Sequence, residues 1–168
     1  TGLGYGSASY QATVCASDTR AWNQPTSTGA SDFSSEITQW SLDNWGEDVV
    51  ANRRKGSIYY WDTDASTTPL RAEKVSGSTN STPTTVDSII VSPNDRHLIA
   101  LGSNEFGTTA SPTGTYNPLT VRSSKQEDYT NWVPSISSTS GEVIIADGTK
   151  IVGAKRSRNA INIWTDNA

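Results

Sequence analysis

Three stretches of this chain lie over one another: ITQWSLDNWGEDVVAN (37–52), DSIIVSPNDRHLIALG (87–102) and GEVIIADGTKIVGAK (141–155). Each reads as strand, polar turn, strand. Their second strands open at Val49, Leu98 and Ile151, a recurrence of 49 and then 53 residues. Periods near 50 are typical of blade-type arrays, in which each unit is a small antiparallel sheet that cannot bury its own faces and must stack on its neighbours. The recurrence therefore predicts an all-β chain of about three antiparallel blade-like units, part of a β-propeller. Three units fall short of the roughly four to eight that close a ring, so more chain or another subunit is expected.

The pattern runs past these hairpins. VVAN is followed by the basic turn RRKGS and IYYWDTD, and IVGA by KRSRN and AINIWTDNA, so Trp61 and Trp164 hold matching third-strand positions. In the middle unit a Gly, Thr and Pro-rich stretch, SNEFGTTASPTGTYNP, reads as an expanded loop before the strand LTVRSS. Residues 68–86 and 133–140 read as connections, because Pro and Ser/Thr clusters without apolar periodicity are loop signals. Val49, Val50, Leu98, Ile99, Ile151 and Val152 are expected in equivalent second strands facing neighbouring units, with Trp61 and Trp164 deeply buried.

Composition agrees with strands. The chain has 46 Ser or Thr, 13 Gly and no Met among its 168 residues, a balance that disfavours a helical bundle. Residues 1–35 carry dense Gly, Ser, Thr and Ala without sustained periodicity and are expected to form an extended lead-in to the repeats over 36–168. GLGYG lacks the spacing of a dinucleotide loop. No apolar run is long enough for a membrane span, and no basic-then-apolar leader opens the chain. A start at Thr1 and an end directly after an apolar strand suggest a piece of a longer polypeptide. Cys15 is the lone cysteine, which excludes an internal disulfide and favours an inert thiol.

Catalytic inventory is thin. His97, in SPNDRHL, reads as a turn histidine making ordinary hydrogen bonds, with no matching nucleophile in view. Asp62, Asp64, Ser66 and Glu73 match four positions of a calcium-loop frame, but Thr67 stands where the sharp turn needs glycine and Pro69 interrupts it; no metal site and no cofactor are assigned. SSKQEDYTNW loosely resembles the Asp-box turn of sialidase-like blades without its glycine. Asn80-Ser81-Thr82 fits a glycosylation acceptor only formally.

The basic turns stand out, because the formal charge of the whole chain is −4. Arg53, Arg54 and Lys55 in one unit and Lys155, Arg156 and Arg158 in another occupy equivalent hairpin tips, which stacking would bring to one rim. Such residues either solvate the tips and discourage edge pairing or contact an acidic neighbour or a phosphate backbone.

WSLDNWGEDVVAN, IYYWD, NPLTVRSSKQEDYTNW and GTKIVGAKRSRNAINIWTD together resemble stretches of a family of tailed-phage virion proteins of the tail nozzle or tail-tube type. The resemblance spans about residues 1–168. It implies a propeller-bearing structural subunit of a homo-oligomeric ring through which genome DNA passes, assembled in the host cytoplasm and resident in the virion. It implies copies of itself and other tail proteins as partners, non-specific contact with passing DNA, and no catalytic residues. A second reading is a carbohydrate-binding or sialidase-like module, which would expose aromatics and carboxylates together in a concave pocket.

Overall fold

The computed structural model describes residues 39–64, 72–76 and 81–167, and among these it contains strands and no helix. The strands are β1 (Trp40–Trp45), β2 (Asp48–Arg53), β3 (Ile58–Trp61), β4 (Glu73–Lys74), β5 (Val86–Val91), β6 (Leu98–Phe106), β7 (Thr113–Ser123), β8 (Gly141–Ile144), β9 (Ile151–Arg156) and β10 (Ile161–Thr165). Two four-stranded sheets run in chain order, β1-β2-β3-β4 and β5-β6-β7-β8, and β9 pairs with β10 as a hairpin. Every pairing is antiparallel. No helix among the described residues is long and apolar enough to cross a membrane. The expected lead-in over 1–35 lies outside the described residues.

Period-two alternation sets the faces of the first sheet. In β1, Ser41, Asp43 and Trp45 point inward while Trp40, Leu42 and Asn44 point out, as strand geometry demands. Gly46 turns the chain at φ +70°, the positive angle that the first position of a two-residue II′ hairpin loop requires. Directly opposed residues share a face, so Val50, Asn52, Ile58 and Tyr60 join the inner set.

The three layers stack through two apolar seams. Trp45, Val50 and Ile58 of the first sheet meet Ile89, Val91, Leu98 and Ala100 of the second, with Val75, Val86 and Trp132 completing the seam. On its other face the second sheet offers Ile90 and Leu101, with Ile99 and Val121, to Ile151, Ala154, Ile161 and Ile163 of the β9–β10 hairpin. β5 and β6 are thus covered on both sides, while Val143 and Ile144 of β8 stay 65% and 49% exposed.

Polar bonds from β1 reinforce the first seam. Ile89 donates its N–H to Ser41 Oγ at 3.1 Å, and Ser41 Oγ donates to the Ile89 carbonyl at 3.0 Å. Val91 N–H donates to Asp43 Oδ2 at 2.7 Å. Alternate residues of β1 therefore satisfy alternate backbone groups on β5, which is an edge strand of its sheet and would otherwise leave them unpaired.

Several expectations are corrected here. The segment 141–155 is not one hairpin: β8 pairs with β7, and β9 pairs with β10, because Val143 and Glu142 find partners on β7 before the turn that leads to β9. Ile151 and Val152 consequently lie in the hairpin's first strand, whereas Val49 lies in β2 and Leu98 opens β6, each the second strand of its sheet. Ile151 is buried, but Val152 is 64% exposed. Trp61 and Trp164 are 44% and 46% exposed, since alternation turns both to the outer faces of their layers. The stretch read as an expanded loop is mostly strand: β6 and β7 extend together to the Phe106–Thr113 pair, with register shifts between Leu101 and Ser103 and between Asn104 and Phe106. Glu73 and Lys74, within a segment read as connection, form a short fourth strand on β3.

Candidate interaction surfaces

Both basic turns are hairpin turns, joining β2 to β3 and β9 to β10, and all six of Arg53, Arg54, Lys55, Lys155, Arg156 and Arg158 are exposed. The first turn is pinned at its backbone: Lys55 N–H donates to the Val86 carbonyl at 2.7 Å and Val86 N–H to the Gly56 carbonyl at 3.0 Å. It therefore fastens the first sheet to the start of β5 while leaving its side chains in solvent. Arg54 Nη1 donates to Gln39 Oε1 at 3.0 Å. In the second turn Arg156 pairs with the carboxylate of Asp43, whose other oxygen already holds Val91. One carboxylate thus touches all three layers. The two guanidinium groups rest beside Gln39 and Asp43, points about 13 Å apart along an extended strand. Arg156 is committed to a structural ion pair, and the other five basic side chains have no such acidic partner among the described residues.

Both outer faces of the stack carry exposed apolar residues among polar ones such as Asn44 and Asn162. Trp40 (50% exposed) and Leu42 (66%) of β1 stand with Trp61 of β3 on the uncovered side of the first sheet, and the Trp40 ring leans on Tyr59 at 6.3 Å. Val152 and Trp164 lie exposed at the other end, on the hairpin.

Between β1 and β5 a cleft of about 330 Å³ is lined by Gln39, Trp40, Ser41, Asp87 and Ser88. Asp87 Oδ2 accepts the Tyr116 hydroxyl at 2.7 Å, while Asp87 Oδ1 is buried with no hydrogen-bond partner. Burial, then the bond to Asp87, pushes the Tyr116 hydroxyl well above the ordinary phenol range; the Arg54 guanidinium acts in the opposite direction. Gly102, at φ +61°, makes the room: a Cβ there would sit 2.8 Å from Asp87 Oδ2. The repeat comparison includes Trp40 and Asp87 in its segments but carries no sign of their meeting, and Tyr116 falls in the stretch read as loop.

Other polar clusters serve the fold. Arg122 is fully buried and donates through Nη2 to the carbonyls of Ser81 (2.8 Å) and Trp132 (3.0 Å). Desolvation lowers its guanidinium to about 10, partly offset by Glu142, so it keeps its charge at neutral pH. Tyr60 donates to Asp48 and stacks on Tyr129 at 4.2 Å. Burial and then Asp48 raise its hydroxyl above the usual range. His97 Nδ1–H donates to the Ser124 carbonyl at 2.7 Å, an ordinary turn contact as the sequence suggests. The Asp-box-like stretch is a turn in which Thr130 donates its N–H and hydroxyl to Asp128 at 2.9 and 2.6 Å.

No family model, curated protein or solved structure matches the chain.

Proposed function

We propose that this chain is a structural subunit of a tailed-phage tail, of the nozzle or tube type, and that its stacked sheets are propeller blades in a ring assembly through which DNA passes. One observation carries the reading: three antiparallel layers are stacked face to face, and both end faces bear half-exposed tryptophans. A stack of this kind gains by covering its ends with further layers, since apolar surface left in water forgoes about 25 cal/mol per Å². The resemblance in WSLDNWGEDVVAN and INIWTD supports the same reading. It assigns no catalytic role to any residue. The five uncommitted basic side chains would then face either acidic groups of a neighbouring subunit or the phosphate backbone of DNA.

The test is the mass of the purified chain in solution, by native mass spectrometry and light scattering. A closed oligomer is expected, reduced to monomer when Trp61 and Trp164 are both changed to Glu, because buried unpaired charge at a contact costs far more than it gains. A chain that stays monomeric at concentrations well above typical assembly affinities of about 1 μM would refute ring formation by copies of itself.

A further inference from the structure

We infer that the outer face of the first sheet binds single-stranded DNA, with Trp40, Tyr59 and Trp61 as stacking platforms and Arg53 and Lys74 as phosphate contacts. The site belongs to the unassembled chain and so goes beyond the ring reading: a neighbouring subunit seated on this face would displace the strand.

Strand register brings the five side chains to one face. Trp40 lies opposite Arg53 on β2, while Ala51 and Val49 of β2 lie opposite Tyr59 and Trp61 on β3. Directly opposed residues share a face, and so do alternate residues of one strand. Trp40 is 50% and Trp61 44% exposed. The Trp40 and Tyr59 ring centroids are 6.3 Å apart, and Tyr59 and Trp61, two residues apart on β3, are separated by about 6.6 Å along the strand. The three rings thus run diagonally from β1 to β3 at nearly even intervals. Each interval is about twice the 3.4 Å rise per base in one strand of a duplex, which suits a stretched strand whose bases lie on protein rings in place of one another.

Charge completes the match. Arg53 is exposed directly opposite Trp40, and Lys74 is exposed directly opposite Tyr59, so two of the rings have a cation beside them. The acidic residues of these four strands fall on the other face: Asp43 is opposed to Val50, Asp48 to Trp45 and Glu73 to Tyr60. In a chain of formal charge −4, this segregation leaves the aromatic face cationic. Aromatic platforms flanked by cations that follow a backbone are a general device for holding single strands. A duplex keeps its base faces stacked on one another and could engage only through phosphate. Leu42 and Ala51, which lie between the rings on this face, offer no partner to a ribose 2′-hydroxyl, so the surface suits DNA rather than RNA.

The experiment measures fluorescence anisotropy of labelled dT12 titrated with the full chain, with light scattering on the same samples to identify the monomer. Saturable binding with Kd below about 100 μM is expected, with a slope of log K against log salt near −1.4 from two phosphate contacts. Trp40→Leu and Trp61→Leu, which keep apolar area but remove the ring, should each weaken it about tenfold. Arg53→Ser with Lys74→Ser should flatten the salt slope, and Trp164→Ala on the hairpin should leave binding unchanged. Should a tryptophan variant fail to fold, the unaltered chain still decides: at saturation the indole N–H resonances of Trp40 and Trp61 should shift in NMR and that of buried Trp132 should not. Absence of saturable binding, binding that survives both Leu substitutions, or a duplex of equal length bound as tightly overturns the inference. Tighter binding of oligo-U than of dT12 overturns the choice of DNA. A ring that binds no oligonucleotide would keep the assembly reading and refute this one; a chain that binds dT12 yet stays monomeric would do the reverse.

Discussion

Trp132 and Trp61 carry the same side chain into opposite environments. Trp132 is fully buried, its indole N–H donating to the Tyr129 carbonyl at 2.8 Å and its backbone N–H to Ser81 Oγ at 3.2 Å. Truncating it to Ala should cost about 3–5 kcal/mol, the range for large aromatic side chains in cores. The same change at Trp61 or Trp164 should cost about 1–2 kcal/mol, because roughly half of each indole is already in water. Urea denaturation of the three variants checks the ranking. The sequence points the other way, for a physical reason: the repeat comparison aligns Trp61 with Trp164, although Trp61 ends the third strand of its sheet and Trp164 lies in the second strand of a hairpin, and hydropathy does not say which face of a two-sided strand is covered. Trp132 sits in a stretch with no periodicity, and its burial depends on Ser81 and Arg122, which only the fold brings to it.

The β9–β10 hairpin shows how an element is held at its open end. Asp166 accepts the Thr149 hydroxyl and the backbone N–H groups of Thr149 and Lys150, and these bonds, the hydroxyl first, lower its carboxyl from 3.8 to about 2. Asp48 is lowered by the Tyr60 hydroxyl and the Thr63 amide. In Asp128 burial opposes ionisation, but the bonds from Thr130 outweigh it. All three carboxylates ionise more readily folded than unfolded, so their contribution is complete above the unfolded value and is lost as pH falls through the folded one. The urea midpoint should hold steady from neutral pH down to about 5 and decline between about 4 and 2. Asp166→Asn should flatten the lowest part of that decline and leave the share of Asp48 and Asp128, as a pH series of urea curves would show. A profile unchanged by the substitution would count against the clasp. Little of this was legible beforehand, since a carboxylate at the end of INIWTD looks like any solvated turn residue until its donors are placed.

At the scale of the whole molecule, the basic turns define a clean variant. Arg156 belongs to the ion pair with Asp43, so replacing it would loosen the stack and confuse the outcome. Changing Arg53, Arg54, Lys55, Lys155 and Arg158 to Ser should leave folding intact, because exposed charges are individually worth about 0–1 kcal/mol. If these side chains meet a neighbour's carboxylates, the variant should assemble more weakly and lose the salt dependence of assembly; if they meet DNA, assembly should persist and the salt-sensitive retention of DNA should fall. Light scattering and DNA retention, each over a salt series, separate the two, and a variant identical in both would leave solvation of the turns as their role. The all-β, antiparallel class was readable from the recurring apolar pairs such as Val49-Val50 and Leu98-Ile99. The partition into layers was not, because Val143 and Ile151 have similar hydropathy and only hydrogen-bond partners decide that one closes the second sheet and the other starts the hairpin.

The bonds from Ser41 and Asp43 to β5 bear on what can replace a layer. Apolar seams are permissive, and most aliphatic faces of suitable volume will pack against one another. A strand offering a hydroxyl and a carboxylate two residues apart, aimed at two particular amides, is far more selective, and here the same carboxylate also receives the guanidinium of the third layer. A shuffled or swapped sheet lacking that pair would leave the amides of Ile89 and Val91 without acceptors. Layer order in this molecule is thus encoded in a few polar side chains, and recombination that respects hydropathy alone would scramble it.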